Sequence, residues 1–266
     1  MKKTGKWEIS RNVFRLLMIF LILSPAMGFT FFYGNFSSGL LFGQLHLTDP
    51  LSFLQVMFSS PLDITLGFAL SAIIILFIYI ILGRVYCSWV CPLGAILEWI
   101  NRIPYLPDIF RPTQDYNVKY ELLGIFILLS IFSSIPFFII ISPMAAFERI
   151  LMFGISISIF LILSIILLNV FTGNNTWCNK ICPLGAFYSL IGRWRLLHID
   201  LDEKQCNECG VCINKCPYGE NVIKNAIDNK NSDLIHADCT NCGTCIDLCP
   251  QEALRFKIKK TRGLSL

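Results

Sequence analysis

The sequence predicts an α-helical membrane protein, with four transmembrane helices arranged as two parallel hairpin repeats, followed by a small α+β domain rich in cysteine. Three observations predict this fold class. The 266 residues are 55% hydrophobic and only 15% charged, whereas soluble domains are about one quarter charged. One cysteine motif occurs twice among apolar segments, and a different cysteine motif occurs twice near the C-terminal end. We therefore predict a membrane domain, residues 1–195, and a second domain, residues 196–266.

Four apolar segments are long enough to cross a bilayer, which takes about 20 residues of α-helix. These segments are 13–33, 62–83, 120–141 and 150–171. Their internal polar positions are nearly all Ser, Thr, Gly or Asn, and a helix satisfies its own backbone hydrogen bonds inside a membrane. We therefore expect four transmembrane helices.

The distribution of positive charge predicts the orientation of these helices. Lys and Arg are frequent before the first segment, between the second and third, and after the fourth, whereas residues 35–61 contain neither. Positively charged connections stay in the cytoplasm. We therefore expect a multi-pass protein of the inner (cytoplasmic) membrane, with both termini and the C-terminal domain cytoplasmic. Membrane lipid is an expected partner, and the basic segment Lys257 to Arg262 could contact anionic head groups.

The motif C-x3-C-P-L-G-A follows the second and the fourth apolar segments. It runs from Cys87 to Ala95 and recurs from Cys178 to Ala186. Apolar residues follow each proline at helical spacing, and proline suits the first turn of a helix. Each copy therefore predicts a short helix. A duplication of this kind indicates two hairpins related by a pseudo-two-fold axis along the membrane normal, which would bring both copies together.

Four cysteines belong to this duplicated motif and are called the repeat cysteines below: Cys87, Cys91, Cys178 and Cys182. Three interpretations stay open. The thiols could bind a further metal ion or cluster, form a redox-active dithiol pair, or pack as small buried hydrophobic side chains. The repetition favours the first, because packing alone rarely fixes two thiols and a proline together.

Near the C-terminal end the spacing C-x2-C-x2-C-x3-C-P occurs twice, ending at Pro217 and at Pro250. In proteins with two [4Fe-4S] clusters, three thiolates of one run bind one cluster and the fourth binds the other. One cluster is therefore assigned to the first ligand set: Cys206, Cys209, Cys212 and Cys249. The other cluster is assigned to the second ligand set: Cys239, Cys242, Cys245 and Cys216. The alternative, a pair of zinc sites or a disulfide framework, rarely needs this third C-x2 step and the terminal C-x3-C-P.

These cysteine runs resemble a bacterial two-cluster ferredoxin. Together with the four apolar segments and the two C-x3-C-P-L-G motifs, they make most of the chain similar to the NapH/MauN family of membrane ferredoxins. NosR-type and polyferredoxin proteins share the C-x3-C-P element. The resemblance implies an electron-transfer subunit of a quinol dehydrogenase-type oxidoreductase, which passes electrons between a membrane quinone pool, its clusters and a partner oxidoreductase.

Residues 35–60 are expected to form an extracytoplasmic loop, and this loop could bind a quinol head group. His46 and Asp49 lie there beside apolar residues, and either could accept protons from a quinol. An isolated histidine in a loop is more often a surface or helix-capping residue.

Other function classes find less support. The net charge of +4 is modest and indicates no nucleic-acid partner. The sequence contains no glycine-rich nucleotide-binding motif and no recognisable hydrolytic triad, so no catalytic residue is identified. Two alternatives stay open: a membrane assembly or maturation factor, in which the repeat cysteines handle a metal or a partner's thiols, and a membrane redox sensor.

Overall fold

The computed structural model describes residues 5–23, 32–35, 38–41, 45–59, 65–101, 118–133, 138, 142–153, 157–172, 175–219, 221–228 and 237–258. Its α-helices are α1 Lys6–Leu23, α2 Pro50–Ser59, α3 Leu66–Leu82, α4 Pro92–Ile100, α5 Val118–Ser133, α6 Pro143–Phe153, α7 Ser158–Thr172, α8 Pro183–Ile191, α9 Val211–Asn214, α10 Asn221–Asp228 and α11 Thr244–Leu248. Its strands are β1 Phe32–Asn35, β2 Ser38–Leu41, β3 Leu45–Thr48, β4 Leu197–Leu201 and β5 Leu254–Ile258. Two π-helical turns are Tyr86–Val90 and Trp177–Ile181, and Gly192–Trp194 is a 3-10 turn.

The prediction of four transmembrane helices is wrong. The helices in the four predicted segments are α1, α3, α5 and α7, which have 18, 17, 16 and 15 residues. Over the residues that the structure describes, no helix combines the length and the apolarity that a bilayer crossing requires. At 1.5 Å per residue, about 20 residues are needed to span the hydrocarbon core. The longest of these four, α1, also contains Lys6, Glu8, Arg11 and Arg15.

The arrangement as two parallel transmembrane hairpins depended on those four segments and is overturned with them. The same holds for the predicted multi-pass localisation in the cytoplasmic membrane with both termini cytoplasmic. Large apolar side chains are nevertheless exposed on the helices, among them Phe20 on α1, Phe77 on α3, Phe132 on α5 and Phe160 on α7.

The internal repeat is visible as two copies of a helix, a π-helical turn and a second helix. In the first copy α3 leads through Tyr86–Val90 into α4, and in the second α7 leads through Trp177–Ile181 into α8. Both α4 and α8 begin at the proline of the motif, as predicted.

The glycine of each C-x3-C-P-L-G motif lies where no side chain would fit. A Cβ atom at Gly94 would lie 2.3 Å from the carbonyl oxygen of Cys87, and one at Gly185 would lie 2.6 Å from that of Cys178. The helix therefore packs against the turn that carries the first cysteine more closely than any side chain allows.

Where the structure describes residues 35–60, they form strands and a helix in place of the loop that the sequence predicted. Strands β1, β2 and β3 form an antiparallel sheet in that order, with Gly34 opposite Gly39 and Leu40 opposite His46. Helix α2 follows directly. The sheet was missed because these strands contain Gly and Ser in place of a regular alternation of apolar and polar residues.

The C-terminal region contains a two-stranded sheet, with one strand before the cysteine runs and one after them. Strand β4 pairs antiparallel with β5, and Ile199 lies opposite Phe256. The first helix of the chain contacts this region: the backbone N–H groups of Trp7 and Glu8 donate to the carboxylate of Asp247 at 3.3 and 2.9 Å. Asp247 thereby satisfies free backbone donors at the start of α1.

A shared apolar core joins the helical repeats to the C-terminal region. Buried members from the repeats include Leu93, Leu97 and Ile165, and those from the C-terminal region include Ile199 and Leu254. Cysteines of both motifs belong to the same cluster of buried side chains. The cysteine runs are therefore packed against the repeats.

Candidate metal centres and their surroundings

The second ligand set lies in the interior. Cys239, Cys242 and Cys245 are buried, and Cys216 reaches them from the other cysteine run. Burial, followed by the neighbouring Cys242 and Cys239, raises the pKa of Cys216 far above its ordinary value. The pKa of Cys245 is raised by burial and then by Cys242, Cys239 and Cys216. Cys216 thus interacts with thiols of the other run, and also with Cys212 of its own run.

The first ligand set lies nearer the surface. Cys209 is exposed, whereas Cys206, Cys212 and Cys249 are partly buried. The pKa of Cys212 is raised by burial, with further contributions from Cys206 and Cys249. Cys249, which belongs to the other run, therefore interacts with Cys212.

Both runs use the same backbone conformation. The residue before the second cysteine has a positive φ in each run, 56° at Glu208 and 49° at Asn241. The residue after the second cysteine is a glycine in each run: Gly210, with a φ of 69°, and Gly243, with a φ of 74°. A short helix, α9 or α11, then begins and carries the third cysteine. Successive residues of this kind turn backbone N–H groups toward an anion, which suits a thiolate-bound cluster.

The repeat cysteines also lie together in the interior. Burial raises the pKa of Cys91 to about 12 and that of Cys182 to about 11, and Cys87 adds to both shifts. Burial also raises the pKa of Cys178, with contributions from Cys87, Cys182 and Cys91. Thiols must lose their protons to bind a metal, so a nearby positive charge is needed at this site.

The donor chemistry fits iron-sulfur clusters. Each of the three groups offers four thiols. Among the described residues, no three Cys, His, Asp or Glu side chains are close enough to hold a single metal ion. Ligands of a [4Fe-4S] cluster surround a cube of iron and sulfide and stand farther apart than ligands of one ion, so the assignment does not require such a group.

Arg84 is a buried cation between the repeat cysteines and the second ligand set. It is fully buried, and its guanidinium donates to the carbonyl oxygen of Cys178 and, at 3.0 Å, to the carboxylate of Asp238. Lys119 and Ser189 donate to the same carboxylate oxygen. Asp238 directly precedes Cys239, so this network fixes the start of the second cysteine run.

The first π-helical turn is bonded to the second cysteine run. The Ser88 hydroxyl donates to the carbonyl oxygen of Thr240 at 2.9 Å, and the Trp89 indole N–H donates to that of Asn241 at 3.2 Å. Tyr218, two residues after Cys216, donates to the carbonyl oxygen of Cys87 at 3.2 Å. The two motifs are thus joined through residues adjacent to their cysteines.

A buried ion-pair network was missed in the sequence. Glu98 accepts from Arg11 at 2.5 Å and from Arg15 at 2.7 Å, and all three side chains are at most 2% exposed. Arg11 also donates to the carbonyl oxygen of Cys242 at 3.1 Å. The sequence suggested that Glu98 lies off the packed face of α4. The sequence signal for its burial was the position of Glu98 among apolar residues, two helical turns after Cys91.

The two candidate quinol residues differ in what the structure describes. His46 lies in β3, and its side chain is outside the described part of the chain. Asp49 precedes α2, accepts from the backbone N–H of Ser52 at 3.3 Å and accepts a hydrogen bond from the hydroxyl of Tyr188. Asp49 is 8% exposed. It therefore serves as a helix cap, and it is also held by a residue of the second repeat.

Two family models match this chain. A model described as "4Fe-4S binding domain" matches residues 64–111 and again 153–201, the two copies of the internal repeat. A model described as "4Fe-4S dicluster domain" matches residues 198–259. The chain is therefore an iron-sulfur protein with [4Fe-4S] clusters, as the cysteine spacing predicted.

Several curated proteins resemble most of the chain. The ferredoxin-type protein NapH of Escherichia coli is 32% identical over 81% of this chain and 76% of its own length. The methylamine utilization ferredoxin-type protein MauN of Methylobacillus flagellatus is 31% identical over 80% of this chain and 76% of its own length. The regulatory protein NosR of Stutzerimonas stutzeri is 30% identical over 65% of this chain and 23% of its own length. No solved structure matches.

Proposed function

Because the chain belongs to the family of NapH and MauN ferredoxin-type proteins, we propose that it passes electrons between the quinone/quinol pool and a partner oxidoreductase. The observation that carries the proposal is that both C-x2-C-x2-C-x3-C-P runs lie within residues 198–259, which match the 4Fe-4S dicluster model. We assign one [4Fe-4S] cluster to the first ligand set and one to the second. When bound, each cluster supplies one-electron chemistry.

The protein's own residues prepare these sites. A thiolate-bound cluster is anionic, and an unpaired charge is costly in an apolar interior. Arg195 donates to the carbonyl oxygen of Cys239 at 2.9 Å and lowers the pKa of that thiol against the opposing effect of burial. Around the first ligand set, water stabilises the negative charge, because those cysteines are less buried. The chain thus balances charge by buried cations at one site and by solvent at the other.

We further propose that the repeat cysteines bind an additional cluster. All four are close to one another, and Arg84 counteracts the effect of burial on the pKa of Cys178 and Cys182. A dithiol that a maturation factor would use to reduce a partner needs access to that partner. Cys87 and Cys178 are instead buried beneath the C-terminal region.

The test is chemical analysis of anaerobically purified protein, followed by reduction with a quinol analogue. Two clusters require about eight iron and about eight sulfide per chain, and a third site adds to the iron. Replacing Cys178 and Cys182 together by Ser removes only that excess if these residues bind it. Clusters that dithionite reduces and quinol does not would contradict the quinol role. Loss of a partner enzyme's cofactor in a deletion strain, with quinol oxidation intact, would instead support the maturation role.

A further inference from the structure

An apolar cavity of about 530 Å³ lies between α1, α3, the first π-helical turn and the C-terminal region. Phe14 and Met18 line it from α1, Ile75 and Ile78 from α3, and Val90 from the turn. Its volume is in the range of small-molecule sites, about 300 to 1,000 Å³. Such walls suit a ligand that is mostly apolar.

One end of the cavity is polar. Asp49 lies there with three aromatic rings that contact one another: Tyr79 and Tyr188 at 4.5 Å between centroids, and Tyr86 and Tyr188 at 5.4 Å. The Tyr188 hydroxyl donates to one Asp49 oxygen, and the Ser52 N–H donates to the other. An ionised carboxylate has about four acceptor positions, so it can accept another hydrogen bond. This end suits an aromatic ring that carries a hydroxyl group.

The cavity lining also includes residues that adjoin the cysteine motifs. Asn241, which lines it, lies between Cys239 and Cys242 in sequence and contacts the Cys239 sulfur at 3.6 Å through its side-chain oxygen. Tyr86 and Trp89 line the cavity from the turn that contains Cys87. A ligand in the cavity therefore lies beside residues that adjoin two candidate metal centres, which indicates a redox-active occupant.

We propose that this cavity binds a hydroquinone with an apolar tail, with its ring at the tyrosine cluster and one hydroxyl donating to the Asp49 carboxylate. This inference rests on the proposed function and locates its quinol site. Oxidation of the bound hydroquinone to the quinone releases two electrons and two protons. The electrons pass to the one-electron iron-sulfur acceptors, and Asp49 accepts the protons in turn and returns each to water. Tyr188 positions the carboxylate.

The surroundings of Asp49 support proton acceptance. Burial raises its pKa, while hydrogen bonds from Tyr188 and from Ser52 oppose the shift. The titratable groups that interact with it across the cavity end are Tyr79, Tyr86 and Tyr188. Below its pKa the carboxyl group holds a proton and cannot accept another. We therefore expect the rate of reduction by quinol to fall as the pH falls through this pKa.

The test uses the iron-sulfur-loaded full chain and a quinone analogue with a decyl tail. Ile78→Trp fills the cavity and should weaken the Kd for the analogue at least about tenfold. Ile73→Trp is the matched control, because Ile73 is an exposed residue of the same helix that does not line the cavity. Asp49→Asn keeps a helix-capping side chain but cannot accept a proton. It should slow reduction by the quinol form about 100-fold, in the range of general-base effects, and remove the acidic limb of the pH profile.

Three outcomes overturn the inference, and they are distinct. Reduction of the wild-type protein by quinol, together with an unchanged Kd in Ile78→Trp, places the quinol site elsewhere and leaves the proposed function standing. Equal weakening by Ile73→Trp assigns the effect to general disturbance. A wild-type protein that dithionite reduces and quinol does not removes the proposed function and this site together. Retention of the acidic pH limb in Asp49→Asn would remove the role of Asp49 alone.

Discussion

The two ligand sets share one sequence pattern and lie in different environments. Three of the four thiols in the second set are buried, whereas Cys209 of the first set is exposed and its neighbours are partly buried. Hydrogen bonds from Arg195, Arg84 and the first π-helical turn hold residues 238–240 of the second cysteine run in place. One cysteine spacing therefore occurs in two environments, and the rest of the chain determines whether water reaches the thiols.

This difference assigns different tasks to the two sites under the proposed function. The second ligand set adjoins the repeat cysteines and the cavity, so it is suited to exchange electrons inside the protein. The first ligand set is suited to exchange electrons with a partner, because its cysteines reach the surface. Four predictions test this contrast, from the largest expected effect to the smallest.

The largest effect is expected from removing one ligand of each set. Cys245→Ser should lose about four irons and destabilise the fold by at least about 3 kcal/mol, because the second set belongs to the shared core and metal binding is coupled to folding. Cys209→Ser should lose about the same iron with a smaller decrease in Tm. Iron analysis and thermal unfolding measure both. Equal destabilisation by the two variants would contradict the contrast.

Arg84→Met should destabilise the protein by about 3 kcal/mol, because it leaves the largely buried Asp238 with one cationic partner fewer. The control is Arg255→Met. Arg255 pairs with Asp202 at 3.2 Å on the surface, where ion pairs contribute at most about 1 kcal/mol. Denaturant unfolding of both variants measures the difference. A similar loss at Arg255 would show that burial of the network has little importance.

A smaller effect is expected from Gly185→Ala. The added Cβ would meet the Cys178 carbonyl oxygen at 2.6 Å, so the helix must move away from the turn at a cost of about 1 to 3 kcal/mol. Gly124→Ala in α5 is the matched control, because its Cβ would meet no atom within 4 Å. That variant should instead stabilise the helix by about 0.5 to 1 kcal/mol. Destabilisation by both variants would refute the close-contact explanation.

The smallest effect concerns access by solvent. A hydrophilic iron chelator should remove iron in two phases, with the faster phase from the first ligand set. We expect a rate ratio of at least about tenfold, which corresponds to a barrier difference of about 1.4 kcal/mol. Absorbance of the released iron complex measures the phases, and Cys209→Ser should lack the fast one. A single phase in the wild-type protein would mean that burial does not protect the second set.

Local patterns predicted local structure well. The proline after each C-x3-C motif predicted the start of α4 and α8. The apolar segments were harder to interpret, because a hydrophobic run does not show how much of it is helical. Helix α3, for instance, begins at Leu66 and ends at Leu82, inside the segment 62–83.

Contacts between distant residues could not be predicted from the sequence. The pairing of Asp49 with Tyr188 joins residues 139 positions apart, and that of Arg11 with Glu98 joins residues 87 apart. Such pairs depend on the tertiary arrangement and have no signature in local spacing. The crossed ligand sets and the division at residue 195 remain predictions that await measurement.

The capping of α1 by Asp247 has a consequence for biosynthesis. Helix α1 is synthesised before two of its partners. Arg11 donates to the carbonyl oxygen of Cys242, 231 residues later, and the backbone N–H of Glu8 donates to the carboxylate of Asp247, 239 residues later. Closure of so long a chain segment is slow. Helix α1 can pair with Glu98 early in synthesis, but its contacts with Cys242 and Asp247 form only after the second cysteine run has left the ribosome.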